Sequence, residues 1–214
     1  MHGNEVSFNS DLWLRAESFI EGFSGDTVAN VSMVKASPQV HCWRLPASRC
    51  EVNVDAAVDV FGSVSSVGIV ARNDSGNLLW AATKTFRGCM NVEVADALAI
   101  LEGLKLTDSD SRCPVLVESN ALNVVYLCKG LSISRNEINN VVQDIKDFLD
   151  NHGNFEVQFT PGNCNKTAHE VAKWALSGFR SVDNFDVHNS VLWSSFFPGW
   201  LCILIKYDVV SAFA

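Results

Sequence analysis

Three segments in the first half of the chain alternate apolar and polar residues with the period of a β-strand. The first, EVNVDAAV, turns Val52 and Val54 to one face and Asn53 and Asp55 to the other. The second, SSVGIVARND, and the third, NLLWAATKTF, flank the turn 73–76, whose Asn-Asp-Ser-Gly sequence favours a hairpin. The pattern therefore predicts an antiparallel meander of three strands.

The apolar period becomes helical in VEVADALAILEGLKL, and the rest of the chain alternates between the two periods. CPVLVESN and FEVQFTP predict two more strands, while ALNVVYLCKG, EINNVVQDIKDFLDNH and KTAHEVAKWALSG predict three more helices. A strand that follows a crossover helix lies parallel to its neighbour. The prediction is an α/β fold with a mixed five-stranded sheet, three antiparallel meander strands plus two parallel strands, flanked by helices.

The same pattern divides the chain into three regions. Residues 1–45 are weakly periodic and are predicted to be an N-terminal extension and linker, residues 46–180 form the domain, and residues 181–214 form an apolar tail. The most apolar stretch, 191–205, is too short to span a bilayer and contains a proline and a glycine, so we expect no membrane span. The tail is expected to pack on the domain or to bind a protein partner.

Composition narrows the class of protein. An apolar fraction of 48% suffices for a substantial core. The net charge of −8 argues against a dedicated, high-affinity nucleic-acid binder but is compatible with an enzyme that binds nucleic acid weakly and through metal. Seven scattered cysteines without a Cys-x-x-Cys pair predict a reducing, intracellular location, either cytoplasmic or nuclear.

Two acidic residues stand out as candidate site residues. Asp55 lies in the middle of the first strand beside two alanines, which leave room for a ligand; the alternative is a solvent-facing residue on an edge strand. Asp96 lies three residues after Glu93, so both carboxylates share one face of the first helix. For Asp96 the alternative is a solvated acidic first turn that complements the helix dipole.

Two further candidates lie later in the chain. Asn120 follows the fourth strand, and Glu118, two residues earlier, should point the same way. The alternative for Asn120 is a helix N-cap. His169 lies in the last helix, where a lone histidine is more often an ordinary surface or core residue than a ligand.

Several motifs occur together in the order typical of one family. NVDAA, VARNDSGNLL, VEVADALAILEGLKL, LVESNAL and TPGNCNKTAHEVAKWAL resemble the ribonuclease H family. The resemblance is greatest to plant reverse-transcriptase-like domains related to non-LTR retroelements. WRLP at 43–46 and the W…P…L…D pattern of the tail extend this resemblance over about residues 43–208. It implies a ribonuclease H-like fold and metal-dependent cleavage of the RNA strand of an RNA–DNA hybrid.

The resemblance also implies four site positions, which hold two Mg²⁺ ions through carboxylates in the family. Here they are occupied by Asp55, Asp96, Asn120 and His169, with Asp55, Asp96 and Asn120 as the implied metal ligands. Two aspartates supply a formal charge of −2 where four carboxylates would supply −4. Because hard cations prefer charged oxygen ligands, we expect weak or single-site occupancy by Mg²⁺ or Mn²⁺ unless Glu93 or Glu118 compensates.

Two functions remain open at this point. The first is an RNA–DNA hybrid ribonuclease with an impaired site, and the second is a non-catalytic, retroelement-derived interaction module. In the segment where some family members carry a basic protrusion, only Lys129 and Arg135 are basic, so we expect weak hybrid binding. Whether the chain is an enzyme is not decided by its fold class.

Overall fold

The computed structural model describes residues 50–88, 91–108, 114–132, 137–180, 190–193 and 198–212. The predicted extension 1–45, the WRLP motif and Arg135 lie outside these residues. All four candidate site positions lie inside them.

The strands form one mixed sheet with the order β5-β4-β1-β2-β3-β6. The strands are β1 (Cys50–Asp59), β2 (Val64–Arg72), β3 (Leu78–Arg87), β4 (Val115–Ser119), β5 (Phe155–Phe159) and β6 (Ser190–Trp193). β1, β2 and β3 pair antiparallel as a meander, while β4 pairs parallel with both β1 and β5. The five predicted strands and their directions are confirmed.

β6 adds a strand that the sequence pattern did not predict. It pairs antiparallel with the outer edge of β3 and comes from the region predicted as an apolar tail. Its four residues, SVLW, are too few to show a clear alternation of apolar and polar positions.

Helices cover both faces of the sheet. They are α1 (Val92–Asp108), α2 (Leu122–Cys128), α3 (Ile138–Asn151), α4 (Lys166–Arg180) and α5 (Gly199–Ala212), with a short 3₁₀ turn, Gly162–Cys164, before α4. Val52 and Val54 of β1 lie fully buried in a core with Ile100 and Leu104 of α1 and Ile145 of α3. Alternation along β1 therefore sends its valines toward α1 and its polar residues toward the opposite face.

The opposite face is covered by α4, with α5 against it. Val70 of β2 and Val171 of α4 lie in a second apolar cluster with Leu201 of α5. Trp174 and Trp200 stack with ring centroids 5.5 Å apart and join the two helices. In the part of the chain that the structure describes, no helix has both the length and the apolar character needed to cross a membrane.

The hairpin between β2 and β3 forms at the predicted turn. The Asn73 carbonyl accepts a hydrogen bond from the Gly76 amide at 2.9 Å, and the Asn73 side chain accepts from the amides of Ser75 and Asn77. Gly76 adopts a φ of 76°, a conformation that costs glycine little. Side-chain capping of the turn by asparagine explains why the local sequence was sufficient to predict it.

Candidate functional site

Asp55 occupies a central strand and is only 4% exposed. Its Oδ1 accepts a hydrogen bond from the Ala56 amide at 2.9 Å, and its Oδ2 lies 2.8 Å from Nδ1 of His169. The alternative of an exposed residue on an edge strand is therefore wrong. In the parallel pairing with β4, Val54 lies opposite Ser119, which places Asp55 and Asn120 next to each other at the end of the strands.

His169 reaches this position from the first turn of α4. Because the Asp55 carboxylate can only accept, Nδ1 of the imidazole carries the proton and donates it. This hydrogen bond raises the pKa of His169 above its ordinary value, against the opposing effect of burial. The histidine is thus a partner of Asp55, and it occupies a position where the family resemblance implies a carboxylate.

Asp96 projects from α1 and is partly buried. Burial, together with the negative charges of Asp55 and Glu93, raises the pKa of Asp96 to about 7. The partial burial of Asp96 argues against the alternative of a solvated acidic turn. Near neutral pH, Asp96 carries only part of a negative charge.

Asn120 points toward the start of α4. Its Oδ1 accepts a hydrogen bond from Nδ2 of Asn165 at 3.2 Å. The N-cap residue of α2 is Ala121, without a side-chain capping hydrogen bond. The alternative that Asn120 caps this helix is therefore wrong, and its side chain joins the strand ends to α4 instead.

Glu118 belongs to a second polar group on the same face of the sheet. It lies opposite Asn53 in the register and accepts a hydrogen bond from Nδ2 of Asn53 at 3.0 Å. Asn53 in turn accepts from Nη1 of the buried Arg72 at 2.6 Å. This arrangement argues against Glu118 supplying the carboxylate that position 120 lacks.

The predicted donor set does not fit a pair of divalent cations. Asp55 is hydrogen-bonded to His169, His169 itself supplies no carboxylate, and the oxygen of Asn120 is uncharged and already accepts a hydrogen bond. Among the residues that the structure describes, no three His, Cys, Asp or Glu side chains converge closely enough to hold a metal ion. Two Mg²⁺ ions carry four positive charges, which these side chains do not balance.

Asn165 is a member of this group that the sequence did not single out. It precedes the first residue of α4, where an asparagine usually serves as an N-cap. Its side chain, 1% exposed, instead donates to the Val54 carbonyl at 2.8 Å and to Asn120. The one signal for Asn165 in the sequence was its position before a helix, and that position predicts an N-cap and not a contact with Asn120.

The raised pKa of Asp96 predicts that the protein loses stability as pH rises from about 4 to about 7. The unfolded chain releases this proton near the ordinary value, whereas the folded chain retains it, so folding is favoured at the acidic end. We expect Asp96→Asn to flatten this part of the profile and to raise the free energy of unfolding at pH 8 by about 1–3 kcal/mol.

Urea unfolding between pH 4 and 8 measures this effect, with Asp144→Asn, an exposed aspartate of α3, as the control. The raised pKa of His169 changes the stability in the same direction. Its stabilising proton is lost as pH rises through the folded-state pKa, so the free energy of unfolding falls. An Asp96→Asn profile parallel to the parent's would contradict the assignment of the effect to Asp96.

Solved structures of ribonucleases H share this architecture. The chain is similar to ribonuclease H1 of the halophilic archaeon Halobacterium salinarum, with a TM-score of 0.57 and 16% identity over 61% of this chain and 98% of that one. LC11-RNase H1 in complex with an RNA/DNA hybrid gives a TM-score of 0.56 and 18% identity, over 62% of this chain and 100% of that one.

A larger protein contains the same fold as one part. The foamy viral protease-reverse transcriptase in complex with an RNA/DNA hybrid is similar with a TM-score of 0.52 and 15% identity, over 82% of this chain and 27% of that one. These likenesses define the class: the fold is that of ribonuclease H.

The family follows from the sequence match. The reverse transcriptase-like family matches residues 53–175, more than half of the chain, and the protein belongs to it. This range includes Asp55, Asp96, Asn120 and His169. No curated protein matches the sequence.

Proposed function

We propose that the protein is a ribonuclease H-like domain that binds RNA–DNA hybrids weakly and cleaves them, if supplied with Mg²⁺ or Mn²⁺, at a severely impaired rate. The observation that carries the proposal is the engagement of Asp55 by His169, 2.8 Å apart, beside an uncharged Asn120. The bond to His169 takes up one lone pair of the Asp55 carboxylate, and neither His169 nor Asn120 supplies the negative charge that a second cation would need. Loss of even one such ligand lowers hydrolytic rates by orders of magnitude.

Hybrid binding is supported by the fold and by family membership. Two of the similar structures are complexes with an RNA/DNA hybrid. Proteins read such hybrids largely through shape and through contacts to phosphates and 2′-hydroxyls. A net charge of −8 lowers the affinity that this geometry can provide, so we expect binding that weakens further with salt.

The alternative function is a non-catalytic, retroelement-derived interaction module. The net charge of −8 favours it. So does α5, a largely apolar helix on which Ile203 is 41% exposed. Such a module would bind a protein through the tail. The resemblance to plant non-LTR retroelement domains supports a retroelement origin under either function.

A divalent-ion titration with an end-labelled RNA–DNA hybrid tests the proposal. We expect saturable hybrid binding by the parent chain and cleavage at least about a hundredfold slower than a ribonuclease H1 assayed in parallel, in either Mg²⁺ or Mn²⁺. Any residual cleavage should disappear in Asp55→Asn. The same variant is the control for a contaminating nuclease, whose cleavage would not depend on Asp55.

Two results would overturn the proposal. Robust cleavage that Asp55→Asn abolishes would show a competent site. Absence of hybrid binding under all ionic conditions would favour the protein-binding module.

A further inference from the structure

The orientation of the Asn165 amide follows from its neighbours. The Val54 carbonyl can only accept a hydrogen bond, so the group 2.8 Å from it must be Nδ2 of Asn165. The same Nδ2 lies 3.2 Å from the Asn120 side chain, which must therefore present its oxygen. The network thus settles the rotation of both amides.

The consequence is that Nδ2 of Asn120 is directed away from Asn165. Among the residues that the structure describes, this amide group has no hydrogen-bond partner, and Asn120 is partly exposed. A Cβ atom on the neighbouring Gly162 would lie 3.7 Å from it, so the glycine presents no side chain where one would contact this group. Position 120 therefore offers a hydrogen-bond donor to the site.

A donor at this position suits an anion. Phosphate oxygens only accept hydrogen bonds, so an amide can bind them directly, whereas a carboxylate at the same place needs a cation between itself and the phosphate. Asp55 repels such a group less than an isolated carboxylate would, because both of its oxygens already accept hydrogen bonds within the protein.

We propose that Nδ2 of Asn120, positioned by Asn165, donates directly to a backbone phosphate oxygen of bound nucleic acid, so that this site holds the strand without a divalent cation. The inference rests on the proposed function, since it requires that the domain bind nucleic acid. A direct hydrogen bond from position 120 to the phosphate would then take the place of a contact bridged by a metal ion.

Asn165 is the positioning residue of this arrangement. Its side chain donates hydrogen bonds to Val54 and Asn120, and its backbone carbonyl accepts a hydrogen bond from the His169 amide at 3.1 Å. Its own Oδ1 is buried without a hydrogen-bond partner in the described structure, which is unfavourable for stability. The buried oxygen makes Asn165 costly for stability, and a role in positioning Asn120 accounts for an asparagine at this place.

The test is the dependence of hybrid binding on divalent ions, followed by fluorescence anisotropy of a labelled RNA–DNA hybrid in EDTA and in Mg²⁺. We expect the parent to bind equally in both. Asn120→Asp, which is isosteric and keeps the acceptor for Asn165, should bind about tenfold more weakly in EDTA and recover at least most of that loss in Mg²⁺. A gel run after each titration verifies that the strands are intact.

Asn163→Asp is the matched control, because it introduces the same charge at an exposed position of the 3₁₀ turn Gly162–Cys164. It should change the affinity less than about twofold in either condition. Asn165→Ala, with folding verified by circular dichroism, should weaken binding in EDTA while leaving it independent of Mg²⁺.

The outcomes separate the two proposals. Parent binding that requires Mg²⁺, or equal affinities of the parent and Asn120→Asp in EDTA, would overturn the direct contact and leave the proposed function intact. No binding by the parent in either condition would overturn both.

Discussion

The double variant Asp96→Glu, Asn120→Asp is expected to cleave an RNA–DNA hybrid at least about tenfold faster than the parent at the same Mg²⁺ concentration. An aspartate at position 120 would keep the hydrogen bond from Asn165 and turn its second oxygen to the place now held by an amide nitrogen. A glutamate at position 96 would extend the carboxylate by one C–C bond out of the partly buried site that raises the pKa of Asp96. The aspartate adds a negative charge, and the glutamate restores the longer reach of the carboxylate that the family resemblance implies at position 96.

Single-turnover cleavage of an end-labelled hybrid measures this gain. The same double variant carrying Asp55→Asn is the control and should show no cleavage, because Asp55 remains the central carboxylate. A double variant as slow as the parent, with hybrid binding preserved, would show that His169 or the substrate surface limits the reaction.

Gly68→Ala is expected to be the most destabilising small substitution in the sheet, lowering the free energy of unfolding by about 3 kcal/mol or more. A Cβ on Gly68 would overlap the backbone oxygen of Ala168 and the backbone nitrogen of Ala172, where α4 lies against β2. Backbone atoms cannot rotate aside as a side chain can, so α4 must shift. Since Gly68 lies opposite Asp55 in the register, that shift would also separate Asp55 from His169.

Chemical denaturation measures the loss of stability, and the pKa of His169, followed by NMR titration, reports the position of α4. Gly153→Ala is the matched control, because a Cβ there meets no atom within 4 Å and it should change stability by less than about 0.5 kcal/mol. Gly68→Ala with parental stability and an unchanged His169 titration would refute the close approach of α4 to β2.

Local pattern was sufficient for most of the fold. The alternation in β1, the asparagine turn after β2 and the helical period of α1 each involve residues within a few positions of one another. β6 was missed because four residues carry too little periodicity, and it is stabilised by pairing with β3, more than a hundred residues away.

The candidate site was predictable only in part. Motif order picked out Asp55, Asp96, Asn120 and His169, and the structure brings Asp55 into contact with His169 and into the electrostatic field of Asp96. Sequence spacing could not reveal that Asn165 orients Asn120, because that contact spans 45 positions along the chain.

The amino-acid sequence by itself determined the order of the first five strands and the four helices among them, the acidic balance, and the identity of the side chains at the site, because all of these are properties of residues or of short periodic runs. Only the tertiary structure decided which of those side chains are hydrogen-bonded to each other, which have a shifted pKa, and which turn to present a donor. Burial, charge coupling and hydrogen bonding depend on neighbours from β1, β4, α1 and α4 that meet only when the sheet is covered.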